Sequence, residues 1–329
     1  SSQSEMKSFL SGYQGLETNQ FFNGLGPAYS FFLITFAINI ATVYYGIKGG
    51  IERLCNWAMP ILFFCGLALF LRVITLESFP PRTFEWSLAD GFGFVWNPDF
   101  SALKSAKIWL EASGQIFFTL SVGIGAILTY ASYLSKKDDV ALSGLTSVSM
   151  NEAAEVILGA SIVLPAAFVF FGPQELKSIA QSGIFNLGFV TTPLVINQLP
   201  TAALLGFIWF FLLFLAGITY SVSLAQPFIA FLEDEFDFKR EKTVAVFDIF
   251  SFLMCQPSIF FLRNGVVDEL DFWGGSLFLV IFATAEVILF AWVLGIVKAC
   301  QVMHEGAEIK IPIIYMFIIK YITPTFLLI

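Results

Sequence analysis

The chain has 329 residues, of which 57% are hydrophobic, 17% aromatic with forty Phe, and only 13% charged; its mean hydropathy is +0.80. Water-soluble domains carry about 25% charged residues, so this chain lacks the groups that face water and reads as a polytopic membrane protein. A net charge of -8, a pI near 4.7 and the lack of basic runs exclude nucleic-acid binding, which sets clustered Lys and Arg against phosphate.

Four cysteines, Cys55, Cys65, Cys255 and Cys300, show no CxxC spacing, and the single histidine, His304, has no zinc partners, so simply packed thiols are expected. The chain opens Ser-Ser-Gln-Ser and ends inside an apolar run, from which a longer parent is expected.

A membrane-crossing helix needs about 20 apolar residues. Eight stretches qualify in chain order: 27–46, 57–76, 108–133, 142–171, 202–231, 243–262, 274–297 and a truncated 311–329. They are read as one transmembrane domain over 1–329. Strand alternation is absent, and the Gly, Ala and Ser content suits close helix packing, so the expected class is all-α and not an outer-membrane barrel. Basic residues in short loops are retained in the cytoplasm. That places Lys48 and Arg53, Lys136 and Lys137, Lys239, Arg240 and Lys242, and Lys298 and Lys310 inside, and residue 1 outside. The opposite connections, 77–107, 172–201 and 263–271, are the external ones.

Polar side chains within a span cost about 2.5–3.5 kcal/mol each when ionisable and mark a pathway or a partner. The third span contains Gly114-Gln115-Ile116-Phe117-Phe118-Thr119-Leu120-Ser121-Val122-Gly123-Ile124-Gly125. Glycines two positions apart each weaken a helix by about 1 kcal/mol relative to Ala, so the backbone is expected to unwind there. Freed carbonyls at that depth must line a cavity or bind something. The fourth span sets Ser147, Asn151 and Glu155 on one helix face at i, i+4, i+8. Glu155 is read as the single mid-membrane carboxylate, with no Lys or Arg at mid-span to neutralise it. In the fifth, Ala216, Thr219, Tyr220 and Ser223 share a face. Hydroxyls, an amide oxygen, free carbonyls and one carboxylate make the ligand set of a hard cation, and a single carboxylate points to a monovalent one. The competing explanations are hydroxyls bonded back to their own helix and a glycine pair that is only a packing notch.

The strings Gly49-Gly50-Ile51-Glu52-Arg53, Met59-Pro60, Pro98-Asp99-Phe100, Gly114 to Ser121, Thr129-Tyr130-Ala131-Ser132-Tyr133 and Asp271-Phe272-Trp273 resemble the neurotransmitter:sodium symporters, colinearly over the whole chain. Within that family the likeness is greatest to the bacterial leucine transporter, in which substrate is bound at broken helices. The resemblance implies an inverted-repeat, leucine-transporter-like fold of twelve helices, of which this chain would hold the fourth to the eleventh. It implies sodium-coupled symport of a neutral amino acid, or a related small amine or carboxylate solute, by alternating access in the cell membrane. Sodium is then co-transported, no organic cofactor is needed, and the missing N-terminal helices of the same protein complete the site.

Residue by residue, the resemblance assigns Thr119 and Asn151 to a first sodium site, and the Ala216 carbonyl and Thr219 hydroxyl to a second. Tyr220 stands where the family carries a serine, so either that site is rebuilt or the phenol narrows the neighbouring pocket. Phe118, Ser121, Ile124 and Leu224 match substrate positions, with Tyr220 beside them. Glu155, with Gln115 as neighbour, matches the carboxylate that replaces bound chloride in chloride-independent members. Asp271 matches the external gate acid and Asp234 the internal one, with Tyr133 and Gln226 in the inner network; the arginine partners of both acids would precede residue 1. No nucleophile with a base and no phosphate loop is present, so an enzyme is not expected. The rival classes are a seven-helix receptor and a non-transporting relative of the same fold.

Overall fold

The structure, a computed structural model, describes residues 3–76, 85–135, 137–181 and 184–328. Lys136, residue 329 of the last span and part of the 77–107 connection lie outside the described residues. Among them every regular element is helical. In chain order they are α1 (Gln3–Tyr13), α2 (Gly26–Tyr44), α3 (Glu52–Ile74), α4 (Leu88–Trp96), α5 (Ala106–Thr119), α6 (Ala126–Ser132), α7 (Val140–Glu152) and α8 (Ala160–Gln181). There follow α9 (Ile184–Asn186), α10 (Thr192–Asn197), α11 (Ala202–Phe236), α12 (Arg240–Phe260), α13 (Val266–Leu270), α14 (Phe278–Ile288), α15 (Ile296–His304), α16 (Ile313–Phe317) and α17 (Thr323–Leu328). Wide π turns at Ile47–Ile51, Ala153–Gly159, Leu187–Thr191, Asp271–Leu277, Leu289–Val293 and Ile318–Ile322 join several of them end to end.

Six segments among the described residues are long and apolar enough to cross a bilayer: Gly26–Tyr44, Ile47–Ile74, Val140–Ile179, Ala202–Phe236, Arg240–Phe260 and Val266–Val293. Two expected spans take another form. Residues 108–133 are not one helix, because α5 ends at Thr119 and α6 begins only at Ala126. The last apolar run supplies the shorter stretch Ile313–Leu328. The helix expected over 142–171 runs on through α8 and bends at Gly172, where φ is 71°. There a side chain would also strike the ring of Trp86, whose Nε1 lies 2.7 Å from the place a Cβ would occupy.

Backbone packing gathers the chain into two compact units. One takes the residues up to Asp99 with Ala153–Ala225 and Arg240–Phe250; the other takes Phe100–Glu152, Gln226–Lys239 and the chain from Ser251.

In the first unit, α4 begins at a capping box. The Ser87 hydroxyl accepts from the Asp90 N–H at 3.1 Å, and the Asp90 carboxylate accepts from the Ser87 hydroxyl at 2.6 Å and its N–H at 3.2 Å. Those bonds hold the Asp90 carboxyl below the usual carboxylate range. α4 lies against α8, where Gly91 meets backbone: a Cβ there would sit 2.9 Å from both Cα and O of Pro165. Leu69, Val73, Ile162, Ala166, Phe168 and Trp209 form the packed centre. In hydrocarbon such contacts hold helices by fit and dispersion, since lipid tails are as apolar as Leu. Arg240 Nη2 donates to the Val43 carbonyl at 2.7 Å, closing the C-terminal end of α2 with a cation, as the helix dipole favours.

In the second unit, α14 packs on α5 and α17, and α15 on α7. Asp139 starts α7: its Oδ1 accepts the Leu142 N–H at 2.8 Å and its Oδ2 the Glu308 N–H at 2.7 Å. The Leu142 and then the Glu308 bond keep this carboxyl below its ordinary range. The Ile311 N–H donates to His304 Nε2 at 2.9 Å.

Gly91→Ala inserts a methyl against the Pro165 backbone and should cost roughly 1–3 kcal/mol as overpacking. Gly144, in mid-α7, has open space at its Cβ position, so Gly144→Ala should leave stability unchanged or raise it by up to about 1 kcal/mol. Thermal unfolding of the two variants in detergent separates these outcomes.

Candidate functional site

The interruption of 108–133 has a defined geometry. α5 closes with the Val122 N–H donating to the Phe117 carbonyl at 2.9 Å and the Ser121 N–H to the Phe118 carbonyl at 3.1 Å. This is the Schellman arrangement, and its left-handed position is normally glycine. Here Ser121 fills it with φ 55°, one of three non-glycine residues of positive φ among those described, with Thr201 and Asp237. A side chain in that conformation costs roughly 1–2 kcal/mol. Gly123 and Gly125 follow with φ 78° and 83° and keep the chain non-helical up to α6. The Gly125 carbonyl is then taken by the Thr129 hydroxyl at 2.9 Å.

The N–H of Gly123, released from the helix, donates to Glu286 Oε2 on α14 at 3.2 Å. Gly123 needs its missing side chain twice. Besides the positive φ, a Cβ would collide with the Leu279 carbonyl and lie 2.9 Å from the Ala283 nitrogen. Leu279, Ala283 and Glu286 therefore form one face of α14 against the break. Glu286 belongs to no motif that the sequence displays, although an acid inside the apolar run 274–297 is a signal in itself. With Glu286, and Asp248 inside 243–262, Glu155 is not the single carboxylate within the spans. Nor are the spans free of basic residues, since Lys320 lies inside Ile313–Leu328.

Thr119, the last residue of α5, faces Asn151 near the end of α7. Asn151 Nδ2 donates to Thr119 Oγ1 at 3.1 Å, and Asn151 Oδ1 lies 3.4 Å from the same hydroxyl. Two neutral oxygens, both on half-buried residues, thus sit at the edge of the break. Phe118 is 39% exposed; Ser121 and Ile124 are half-buried, and Gln115 is exposed one turn earlier on α5. All of these belong to the second unit.

Glu155 falls in the first unit, half-buried in the π turn Ala153–Gly159. So do Ala216, Thr219, Tyr220 and Leu224 on α11, whereas Gln226 and Asp234 of the same helix fall in the second. The Thr219 hydroxyl lies 2.9 Å from the Leu215 carbonyl and 3.1 Å from that of Ala216. Tyr220 is half-buried and Leu224 exposed. One residue on from Tyr220, the Ser221 hydroxyl donates to Asn39 Oδ1 at 2.6 Å, while Asn39 Nδ2 donates to the Thr35 carbonyl at 3.0 Å. Asn39, a polar residue in the first span, is a second contributor that no motif marks.

Of the expected gate residues, two meet: Gln226, fully buried, donates through Nε2 to the Tyr133 hydroxyl at 3.2 Å. Asp234 near the end of α11 and Asp271 at the start of a π turn are exposed, on separate elements.

The model of the sodium:neurotransmitter symporter family matches residues 5–329. An uncharacterized sodium-dependent transporter of Methanocaldococcus jannaschii is 30% identical over 285 residues, 86% of this chain and 56% of the relative. Sodium-dependent nutrient amino acid transporter 1 of Drosophila grimshawi is 24% identical over 274 residues, 82% of this chain and 42% of the relative. The chain spans about half the length of the curated relatives it matches. The crystal structure of MhsT in complex with L-phenylalanine aligns over 98% of this chain and 73% of that one, with a TM-score of 0.75 at 24% identity. That likeness bears out the expected all-α, leucine-transporter-like fold.

Glu286→Leu removes the acceptor of the Gly123 N–H and should destabilise the protein by about 1–3 kcal/mol, the cost of a buried donor left without a partner. Glu286→Gln keeps an oxygen acceptor and should recover most of that loss. Unfolding temperatures of both variants in detergent read the difference.

Proposed function

The chain belongs to the sodium:neurotransmitter symporter family, and from that premise we propose that it is part of a sodium-coupled symporter for a neutral amino acid or a related small solute. The family is one of transporters, not enzymes, and the protein is a multi-pass membrane protein. The cell membrane is its proposed site of action. The observation that carries the reading is the meeting of Thr119 with Asn151 at the end of a helix that stops inside the membrane-embedded run. A hard cation wants neutral oxygens held in place, and a broken helix offers them without a charge to desolvate.

In this reading Thr119 and Asn151 hold a sodium ion, and Ala216 and Thr219 contribute to a second site into which Tyr220 brings a phenol. Phe118, Ser121, Ile124, Tyr220 and Leu224 are the solute-binding residues that the family resemblance implies. The left-handed turn at Ser121 supports the assignment, because strain of that kind persists where the surroundings enforce it. The positive end of a half-helix favours the solute carboxylate, and the apolar side chains favour a neutral solute. MhsT holds L-phenylalanine and the Drosophila relative is named for amino acids, which supports the same class. Ile124 presents a branched aliphatic wall. Asp271 and Asp234 serve as outer and inner gate acids, with the Tyr133–Gln226 bond bracing the inner side. Sodium binding and solute binding stabilise one occupied state, and each then raises the affinity of the other by linkage. Helices beyond this chain complete the site in the whole transporter.

The complete transporter in proteoliposomes should take up labelled neutral amino acids under an inward sodium gradient, and replacing sodium with potassium should reduce uptake roughly tenfold or more. Thr119→Val should raise the sodium concentration needed for half-maximal uptake by roughly tenfold, the value of one lost oxygen ligand. Uptake indifferent to both changes rules out the assignment.

Glu155 supplies a fixed negative charge, so the transporter works without chloride. Glu155→Ser should lower uptake in chloride-free buffer and restore it on adding chloride; a variant that transports at full rate with no response to chloride contradicts this role.

A further inference from the structure

We propose that the cleft between the start of α15 and the π turn Ile318–Ile322 binds the headgroup of an anionic phospholipid. Lys320 lies seven residues into the apolar run that begins at Ile313, roughly 10 Å of helix. A cation at such depth needs a counter-charge or a path to water. Among the described residues the Lys320 ammonium pairs with no carboxylate; its aromatic neighbour is Tyr321, whose ring centre lies 5.3 Å from Nζ.

The cleft beside it has a volume of about 710 Å³ and is lined by Trp292, Val297, Lys298, Gln301, Lys320 and Tyr321 among others, with two lysines and no acid. Lys298 is exposed on the first turn of α15 and likewise pairs with no carboxylate among the described residues. The walls are tied together, because Trp292 Nε1 donates to the Lys320 carbonyl at 2.9 Å. Gly295, with φ 85°, turns the chain between the π turn Leu289–Val293 and α15 and opens the cleft at that end. Trp292 is 56% exposed, Val293 72%, Val297 70% and Tyr321 51%.

Two ammonium groups select an anion; the exposed apolar and aromatic surface selects one that carries acyl chains. Trp and Tyr at such a position mark the level where headgroup meets hydrocarbon. Lys298 heads a connection that the basic-loop rule assigns to the cytoplasm, so the lipid is one of the inner leaflet, where anionic headgroups gather at basic pockets between helices. The inference rests on membrane embedding and orientation, and not on the solute or the coupling ion.

The test is native mass spectrometry of the complete transporter in detergent, titrated with phosphatidylglycerol or with phosphatidylcholine of the same acyl chains. Two lysines acting on one headgroup should give phosphatidylglycerol a preference of roughly 25-fold. Lys298→Gln with Lys320→Gln should abolish the preference, and Lys298→Arg with Lys320→Arg should keep it. A diazirine-bearing phosphatidylglycerol on the wild-type protein should label peptides covering Trp292–Gln301 or Tyr321, a readout that needs no variant. Equal retention of the two lipids, a preference that survives the Gln pair, labelling confined to other peptides, or displacement of the lipid by millimolar inorganic phosphate would each overturn the proposal. Sodium-dependent uptake, measured in parallel, fails or survives independently of it.

Discussion

A backbone N–H released from a helix inside the bilayer has no water to turn to, and the chain must supply an acceptor or not break at all. Around Gly123 that constraint fixes a sequence of dependent features. The N–H of Gly123 requires the Glu286 carboxylate; Glu286 requires α14 to lie close; and the close approach requires that residue 123 have no side chain, since Leu279 and Ala283 occupy its place. Once α14 is seated, α5 cannot continue and ends at Thr119, which puts that hydroxyl beside Asn151. The oxygen pair at the edge of the break therefore depends on an acid that hydrogen-bonds to neither of its members.

Much of the remaining polarity follows the same economy. Hydroxyls on the long helices bond back one turn where they have no other duty, as Thr42 does to Ile38 and Thr284 to Val280. Cross-helix bonds are kept for places where one helix must hold another in register, as between Ser221 and Asn39 or Gln226 and Tyr133. The π turns add a second device. The one at Ala153–Gly159 begins two residues after Asn151, and a wide turn re-aims the side chains that follow without the cost of a full break.

Hydropathy alone makes the helical class and most of the spans legible, because runs of twenty apolar residues have few alternatives. The break is legible too: glycines two apart, preceded by Gln115, Thr119 and Ser121, are a poor helix. The pairing of Thr119 with Asn151 is an expectation from family resemblance together with donor chemistry, and the structure adds the hydrogen bond between the two side chains. Single polar residues within otherwise strong spans are the ones that pattern hides: Asn39, Glu286 and Lys320. A run of Phe, Leu, Ile and Val outweighs one acid, so a windowed average reports a span and conceals its exception. The partner of Glu286 is also 163 residues away in sequence, a distance that local pattern cannot bridge. The bend at Gly172 falls where the apolar run 142–171 gives way to Gly172-Pro173, but the Trp86 ring that would meet a side chain there lies far away in sequence.

The eight residues from His304 to Ile311 are held at three points. The Ile311 N–H binds the His304 ring, the Glu308 N–H binds Asp139, and Gly306 turns with φ 75° against the Lys137 carbonyl, 2.8 Å from where its Cβ would be. A protease needs its target drawn out as an extended strand, and that requires local opening first. Exposed though it is, this segment lies flat along the start of α7 as a strap, so cleavage there would keep time with the loosening of α7 and not with the arrival of the protease.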